Sequence, residues 1–306
     1  MKMLRKVLTN FYYKNSFGRL LIDPIFKVRN KVIPLKIILK KRFRRLLGYE
    51  LDLQNPKTLN EKIQWLKIND RSELHVICAD KFKVRSHVAK KIGEEHLIPL
   101  IKETKDINEL KPSELPDYPV IIKTNHDSGG TTIIRDKKLV DWVSLREKLG
   151  KSLKRRYGDY KGEWQYAKIE PRVVIEKLML DEHGQIPLDY KLHCMNGTVK
   201  FIQVDIDRST NHRRNVYDSE WQQFPLRWVH ENGGNIKKPE ALERMIELAE
   251  CLAQDFHYVR VDLYYIKKKI YFGELTFHSG SGFEKFIPEI WDYNFGKMLS
   301  LPGKNN

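Results

Sequence analysis

Cysteine is scarce in this 306-residue chain: Cys78, Cys194 and Cys251 are far apart and none belongs to a CxxC pair. That spacing argues against a disulfide framework or a zinc ribbon and leaves three reduced thiols. The ten histidines form no HExxH and no His-plus-Cys spacing, so zinc chemistry is not expected. No stretch approaches the roughly 18 consecutive apolar residues of a spanning helix, and the N-terminus alternates charge too often to form a secretory h-region. The expected location is therefore cytoplasmic. Repeats and low-complexity tracts are missing too, while 41% hydrophobic and 11% aromatic content suffices for a buried core.

Acidic residues are short in one place. Lys+Arg total 56 against 40 Asp+Glu, a net charge of +16, and residues 1–50 hold 14 Lys/Arg against 2 Asp/Glu, so +12 of it belongs there. Such a charge suits an anionic partner. Leu35 to Leu47 opens after Pro34 and closes before Gly48, which predicts a helix. Leu35, Leu39, Phe43, Leu46 and Leu47 share one face, and Lys36, Lys40, Lys41, Arg42, Arg44 and Arg45 fill other positions. Two readings are open: the helix lies on an anionic membrane surface, or it packs its stripe on the body and solvates its basic face. Nucleic acid is not an expected partner, because no nucleic-acid-binding motif accompanies the charge.

Downstream, Thr58 or Asn60 can cap a helix carrying Ile63, Trp65, Leu66 and Ile68, and a second helix is expected from about Leu74 to Lys91, ending at Gly93. Lys102 to Tyr118 reads as a connector. Val120 to Lys123 and Thr131 to Arg135 read as strands around a loop containing Asp127, Ser128, Gly129 and Gly130. A helix from about Val140 to Arg156, an apolar run Arg172 to Leu180, and a hairpin turning at Asn196-Gly197 follow. A helix beginning at Pro239 precedes strands Val259 to Ile266 and Ile270 to Phe277. The expected organisation is a basic segment (1–50), a helical part (51–118), a lid lobe with the glycine loop (119–180) and a C-terminal lobe (181–306).

Three strings can carry chemistry. The glycine loop after Lys123 can present successive N–H groups to an anion beside a lysine, or be a plain hairpin turn. A three-residue turn at Lys267, Lys268 and Lys269 would set Asp262 opposite Glu274 and Arg260 opposite Thr276 on one face. Facing carboxylates repel, and a hard divalent cation between them is a natural remedy, whereas a two-residue turn would put the acids on opposite faces. The run containing Asp205, Asp207, Arg208, His212, Arg213 and Arg214 can clamp a carboxylate or phosphate, or be a solvated loop.

In chain order these pieces resemble the ATP-grasp superfamily, in particular its TupA-like branch, associated with teichuronopeptide and other cell-surface polysaccharide biosynthesis. The resemblance runs from about Asn55 to Pro302, through NPKTLNEKIQWLK, ADKFKVR, VIIKTNHDSGG, GEWQY, PRVVIEKLM, DYKLHCMNG, NHRRNVYD, VRVDLYY and YFGELTFHSGSGFEKF. It implies an α+β fold of two lobes that hold ATP with Mg²⁺. Lys81 and Lys123 look like the phosphate lysines, Glu176, Lys177 and Met179 like the adenine hinge, and Asp189 like the ribose acid, with Lys191 reaching toward the terminal phosphate. Asp262 and Glu274 fall on metal positions. Thr276 departs from the commoner asparagine, which bears on a second metal.

The resemblance further implies attack of a substrate carboxylate on the γ-phosphate and opening of the acylphosphate by an amine. Lys123, Lys191 and Arg260 would stabilise the transferring group. Ser279, Gly280, Ser281 and Gly282 would receive the substrate carboxylate, and Arg208, Arg213 and Arg214 an acidic acceptor. The partners so implied are an acidic glycan or lipid-linked sugar, an amino acid or amine donor, and, through residues 1–50, the anionic inner face of the membrane, where the enzyme would be peripheral. The alternative is a glycosyltransferase of capsule, exopolysaccharide or O-antigen biosynthesis, using a DxD-like Asp205-Ile206-Asp207.

Overall fold

The computed structural model describes residues 32–127, 130–155, 158, 161–208 and 210–303. Ser128, Gly129 and residues 1–31 of the basic segment lie outside them. Within them, helices pack on antiparallel sheets, the α+β class expected.

The first helix, α1 (Leu35–Leu47), has the predicted bounds, with Gly48 at φ 95° donating to the Arg44 carbonyl at 3.0 Å. Leu39, Phe43 and Leu47 are buried against Leu51, with Leu53, Ile68 and Phe283 packed alongside. Leu46 departs from the expected stripe and is exposed, as are Lys36, Lys40, Lys41, Arg44 and Arg45. Among the described residues no helix is long and apolar enough to cross a membrane.

Thr58 caps α2 (Leu59–Asn69) in a capping box, its Oγ1 accepting from Glu61 N while Glu61 accepts from Thr58 N. The single helix expected over 74–91 is broken into α3 (Glu73–Ala79) and α4 (Val84–Ile92). Asp80 causes the break. Its carboxylate accepts from Phe82 N at 2.9 Å, Lys83 N at 3.2 Å and Asn125 Nδ2 at 2.9 Å, competing with helical bonding and turning Lys81 aside.

A four-stranded sheet has the order β1 (Leu100–Thr104), β4 (Val173–Lys177), β2 (Val120–Thr124), β3 (Thr132–Ile134). The start of the expected connector is thus an edge strand, and this sheet begins ahead of residue 119. Its apolar face, with Val120, Ile122, Ile134, Val173 and Ile175, packs on Leu145 and Leu149 of α5 (Trp142–Leu153).

The larger sheet runs β10 (Lys269–Thr276), β9 (Tyr258–Ile266), β5 (Asp189–Met195), β6 (Thr198–Ile206), β7 (Arg213–Tyr217). Asn196 and Gly197, at φ 52° and 82°, turn the β5–β6 hairpin as expected. Leu192, Cys194, Val204, Val261 and Leu263 occupy one face and pack on Leu248, Ala249 and Leu252 of α6 (Leu242–Ala253). Met195, Phe201, Val216 and Tyr258 lie on the other, under α2 and α7 (Ile290–Lys297) and the short pair β8 (Arg227–Trp228) and β11 (Phe286–Ile287). Only one end of that second face carries charge.

The β9–β10 hairpin reaches the predicted pairing by another route. Its turn has two residues, Lys267 and Lys268 at φ 50° and 63°, and Lys269 pairs with Ile266. That register alone would send Glu274 to the α6 face. A bulge between Phe272 and Glu274, at Gly273, restores the face, so that Glu274 does oppose Asp262 and Thr276 opposes Arg260.

Candidate active site

Strand alternation places Asp189, Lys191, Asp205, Arg214, Arg260, Asp262, Glu274 and Thr276 on the charged end of one face, because each pairs across the ladders with another of the set. Arg260 bridges the two predicted metal acids. Its Nε donates to Asp262 Oδ1 at 2.6 Å, and Nη2 donates to Asp262 Oδ2 at 2.7 Å and to Glu274 Oε1 at 2.9 Å. Thr276 Oγ1 donates to the same Glu274 oxygen at 3.0 Å. Burial, with Asp189 and Glu274 nearby, pushes the Asp262 carboxyl up against the pull of Arg260 and Lys191. The cluster thus still favours added positive charge.

Lys191 sits at the centre, its Nζ bonded to Asp189 and lying 3.5 Å from Asp205 Oδ2 and 3.9 Å from Asp262 Oδ2. Asp189 Oδ1 is buried with no hydrogen-bond partner, and its Oδ2 also accepts from the exposed Arg208 at 3.1 Å. An orphaned carboxylate oxygen requires a donor to offset its desolvation.

Further cations come from β2, from α4 and from the turn between α3 and α4. Lys123 Nζ lies 2.6 Å from Glu176 Oε2, and Arg85 donates to Oε1 of the same carboxylate at 3.1 Å. Lys81, released by the helix break, donates to the Asp127 carbonyl. Burial lowers the Lys81 ammonium, opposed by Glu274 and Asp127, with Lys123 pushing the same way as burial, so residues of both sheets meet at this amine. The Asp127 carboxylate occupies the space a side chain at Gly130 would need, since a Cβ there would lie 2.5 Å from Asp127 Oδ2. At the predicted hinge, Lys177 N and Leu178 N donate to the Pro99 and Pro119 carbonyls, both at 3.0 Å, and the Met179 side chain is half-buried.

The three arginines do not assemble as a clamp. Arg213 and Arg214 are neighbours on β7, which the charge run had concealed as a loop, and successive strand residues face opposite ways. Arg213 donates to the Asn232 carbonyl at 3.3 Å; Arg214 is buried and donates through Nε to Asp205 Oδ1 at 2.7 Å. Asp205 and Asp207 form no joint site either: Asp205 is enclosed by Arg214, Gln203 and Lys191, while Asp207 stands exposed in a turn at φ 51°.

The Ser279–Gly282 turn is tightly built, with Gly280, Ser281 and Gly282 at φ 55°, 55° and 60°. Ser281 N is used internally, donating to the His278 carbonyl at 2.8 Å, and Ser279 Oγ accepts from Arg260 Nη1 at 3.4 Å. Two α2 side chains that the sequence reading passed over hold it. Gln64 Nε2 donates to the Ser281 and Gly282 carbonyls at 2.9 and 2.6 Å, and Lys67 Nζ donates to Ser281 O at 2.7 Å and Oγ at 2.8 Å. The available signal was two polar residues one helical turn apart among Ile63, Leu66 and Ile68.

The family model described as TupA-like ATPgrasp matches residues 61–300. Among solved structures, D-alanine–D-alanine ligase from Bacillus anthracis is 20% identical, with a TM-score of 0.41 over 65% of this chain and 57% of that one. The ligase of the same name from Helicobacter pylori is 15% identical, at 0.41 over 81% and 68%. N5-carboxyaminoimidazole synthase from Aspergillus clavatus is 14% identical, at 0.39 over 71% and 50%. The chain therefore spans between half and about two thirds of the length of these enzymes. A search of the curated proteins finds no match.

Proposed function

The chain belongs to the TupA-like ATP-grasp family, and on that premise we propose that it is an ATP-dependent carboxylate–amine ligase that attaches an amino acid or amine to a uronic-acid-containing cell-surface polysaccharide or its lipid-linked precursor. One observation carries the reading: Arg260 bridges Asp262 and Glu274, Lys191 lies 3.9 Å from Asp262, and Lys81, which also feels the charge of Lys123, feels that of Glu274. Cations in that arrangement suit a triphosphate, and the acids opposing them suit the metal it travels with.

The residues fit both groups. Asp189 Oδ1, buried and unpartnered, suits a ribose hydroxyl. Asp262, Glu274 and Thr276 would hold Mg²⁺, whose charge, when bound, neutralises phosphate oxygens. In the proposed reaction a uronate oxygen bonds to the γ-phosphorus as the β,γ-bridging bond breaks and ADP leaves. Lys123, Lys191 and Arg260 stabilise the charge in transfer, and the Ser279–Gly282 turn positions the carboxylate. An amine then displaces phosphate from the acyl carbon.

Incubation with ATP, Mg²⁺ and a panel of uronic acids and amines, with products read by mass, tests the reading. An amide with stoichiometric ADP is expected, and Glu274→Gln should lower ADP release by at least about 100-fold with an unchanged Tm. Thermal stabilisation by UDP-sugars instead of ATP would overturn the ligase in favour of a glycosyltransferase.

The lipid-linked acceptor accounts for the uneven charge. Since α1 buries Leu39, Phe43 and Leu47 on the body and leaves Leu46 exposed, its contribution to an anionic membrane surface is chiefly charge, on the order of 1 kcal/mol for each exposed basic residue. Replacing Lys36, Lys40, Lys41, Arg44 and Arg45 together by Gln should cut co-sedimentation with phosphatidylserine-containing vesicles and leave neutral vesicles unaffected. Unchanged sedimentation would reject this role for α1.

A further inference from the structure

The strand order lays the charged face out as a line. Glu274 stands on β10, Arg260 and Asp262 on β9, Lys191 on β5, Asp205 on β6 and Arg214 on β7. The metal acids occupy one end, so a second substrate approaches from the β6–β7 end. Past Asp205 that end holds a pair of stacked imidazoles, His212 and His230, with ring centroids 3.7 Å apart and 29° between planes.

An amine that opens an acylphosphate must first lose a proton, because an ammonium has no lone pair. The lysines and arginines of the line are tied to carboxylates: Lys191 to Asp189, Arg260 to Asp262 and Glu274, Arg214 to Asp205. Imidazole is the side chain that accepts and returns protons near neutrality. His212 has the surroundings for it. Its Nε2 lies 3.1 Å from Asp205 Oδ1, its side chain is 25% exposed, and Asp205 is 3.5 Å from Lys191. The Nε2 edge of the ring faces that carboxylate and one ring face stacks on His230, which leaves the Nδ1 edge for an incoming amine.

Resting on the ligase reading, we propose that His212, oriented by Asp205, is the general base that deprotonates the attacking amine. The ammonium gives one proton to His212 Nδ1. Its freed electron pair bonds to the acyl carbon, and the carbon–oxygen bond to phosphate breaks. The second nitrogen proton leaves with the phosphate, and the imidazolium releases its own to water.

Three groups at this end of the face support this. Burial pushes the Asp205 carboxyl up, but Arg214 and Lys191 outweigh it and hold it well below the usual carboxylate range, so it stays an anion beside the ring. Burial, His212 and Arg214 hold His230 down, so the stacked neighbour is uncharged. Glu284, with Oε2 3.6 Å from Arg214 Nη1, lies against Gly280 of the acceptor turn, where a side chain would collide with it, and so places a carboxylate for the incoming ammonium beside the carboxylate-holding loop.

Methylamine and hydroxylamine provide the test, being similar in size while only methylamine is protonated at neutral pH. With ATP, Mg²⁺ and a uronic acid that wild type accepts in the panel, the ratio of methylamide to hydroxamate formed at pH 7 is measured. His212→Gln should lower that ratio at least about 100-fold and His212→Asn should do the same, with the ratio recovering as pH rises and free methylamine accumulates. An unchanged ratio in folded variants, whether total activity holds or falls, would overturn the assignment. Absence of both products from wild type would instead overturn the ligase reading itself.

Discussion

The two faces of the five-stranded sheet are built from alternate residues of the same strands, yet they obey opposite rules. Toward α6, β5 presents Leu192 and Cys194 and β9 presents Val261 and Leu263, a dry surface stabilised by area alone. One residue along on each strand, Lys191 and Asp262 are just as deeply buried, but each stands where its counter-charge defines it. On the dry face a side chain is replaceable by another of similar volume. On the charged face identity and register matter, because a shift of one residue exchanges the two sets.

Register gives the largest expected effect. A Cβ at Gly273 would meet the Asp262 carbonyl at 3.0 Å and the Tyr264 ring at 3.1 Å, so Gly273→Val opposes the bulge and favours the regular ladder that turns Glu274 toward α6. Ligation should fall by at least about 100-fold, the scale of losing a key electrostatic group. Deleting Gly273 outright leaves Glu274 directly after Phe272 and still opposite Asp262, so the deletion should retain more activity than the valine variant. The reverse ranking would show that the bulge is not what sets the face.

Next, Leu263→Ala on the dry face should cost about 2–5 kcal/mol in denaturant unfolding through a cavity against α6. Its kcat/KM at saturating ATP should stay within about twofold, a large loss meaning that the faces are coupled.

The last test concerns Lys67, whose effect is spread over several pH units. Burial pulls its ammonium down to about 7, with Glu163 opposing and Arg42 and Lys161 adding to the fall. Between pH 7 and 10 the unfolded chain binds a proton there that the folded chain does not, so stability rises with pH. The slope from this group is at most about 1.4 kcal/mol per pH unit, and Lys67→Met should flatten the unfolding profile across that window.

How far these features were legible in the sequence follows from the physics of each. Pro34 and Gly48 bound α1 because caps act locally, and Asn196-Gly197 marked its hairpin for the same reason. Asp262 and Glu274 were paired correctly through an incorrect turn, since two offsetting departures, a shorter turn and a bulge, leave the sum of paired positions unchanged. Strand β7 was hidden because Arg213 and Arg214, one half-buried and one buried, face different neighbours, and two successive arginines break the alternation by which strands are read. The break at Asp80 was hidden because apolar periodicity continues through it; the carboxylate that ends α3 is recruited by Asn125, 45 positions away. Gln64 and Lys67 were passed over because their partners, Ser281 and Gly282, come more than 200 residues later.

One contact of α1 changes how its removal should be interpreted. Phe43 packs on Phe283 with ring centroids 6.4 Å apart, and Arg42 lies 4.7 Å from the Phe283 centroid, immediately after the turn that Gln64 and Lys67 anchor. The basic helix therefore packs beside the turn proposed to hold the substrate carboxylate, as well as presenting a charged exterior. Truncation at residue 50 would remove the proposed membrane contact and this packing in one cut, whereas neutralising only the exposed lysines and arginines leaves the packing in place and tests the two proposed roles apart.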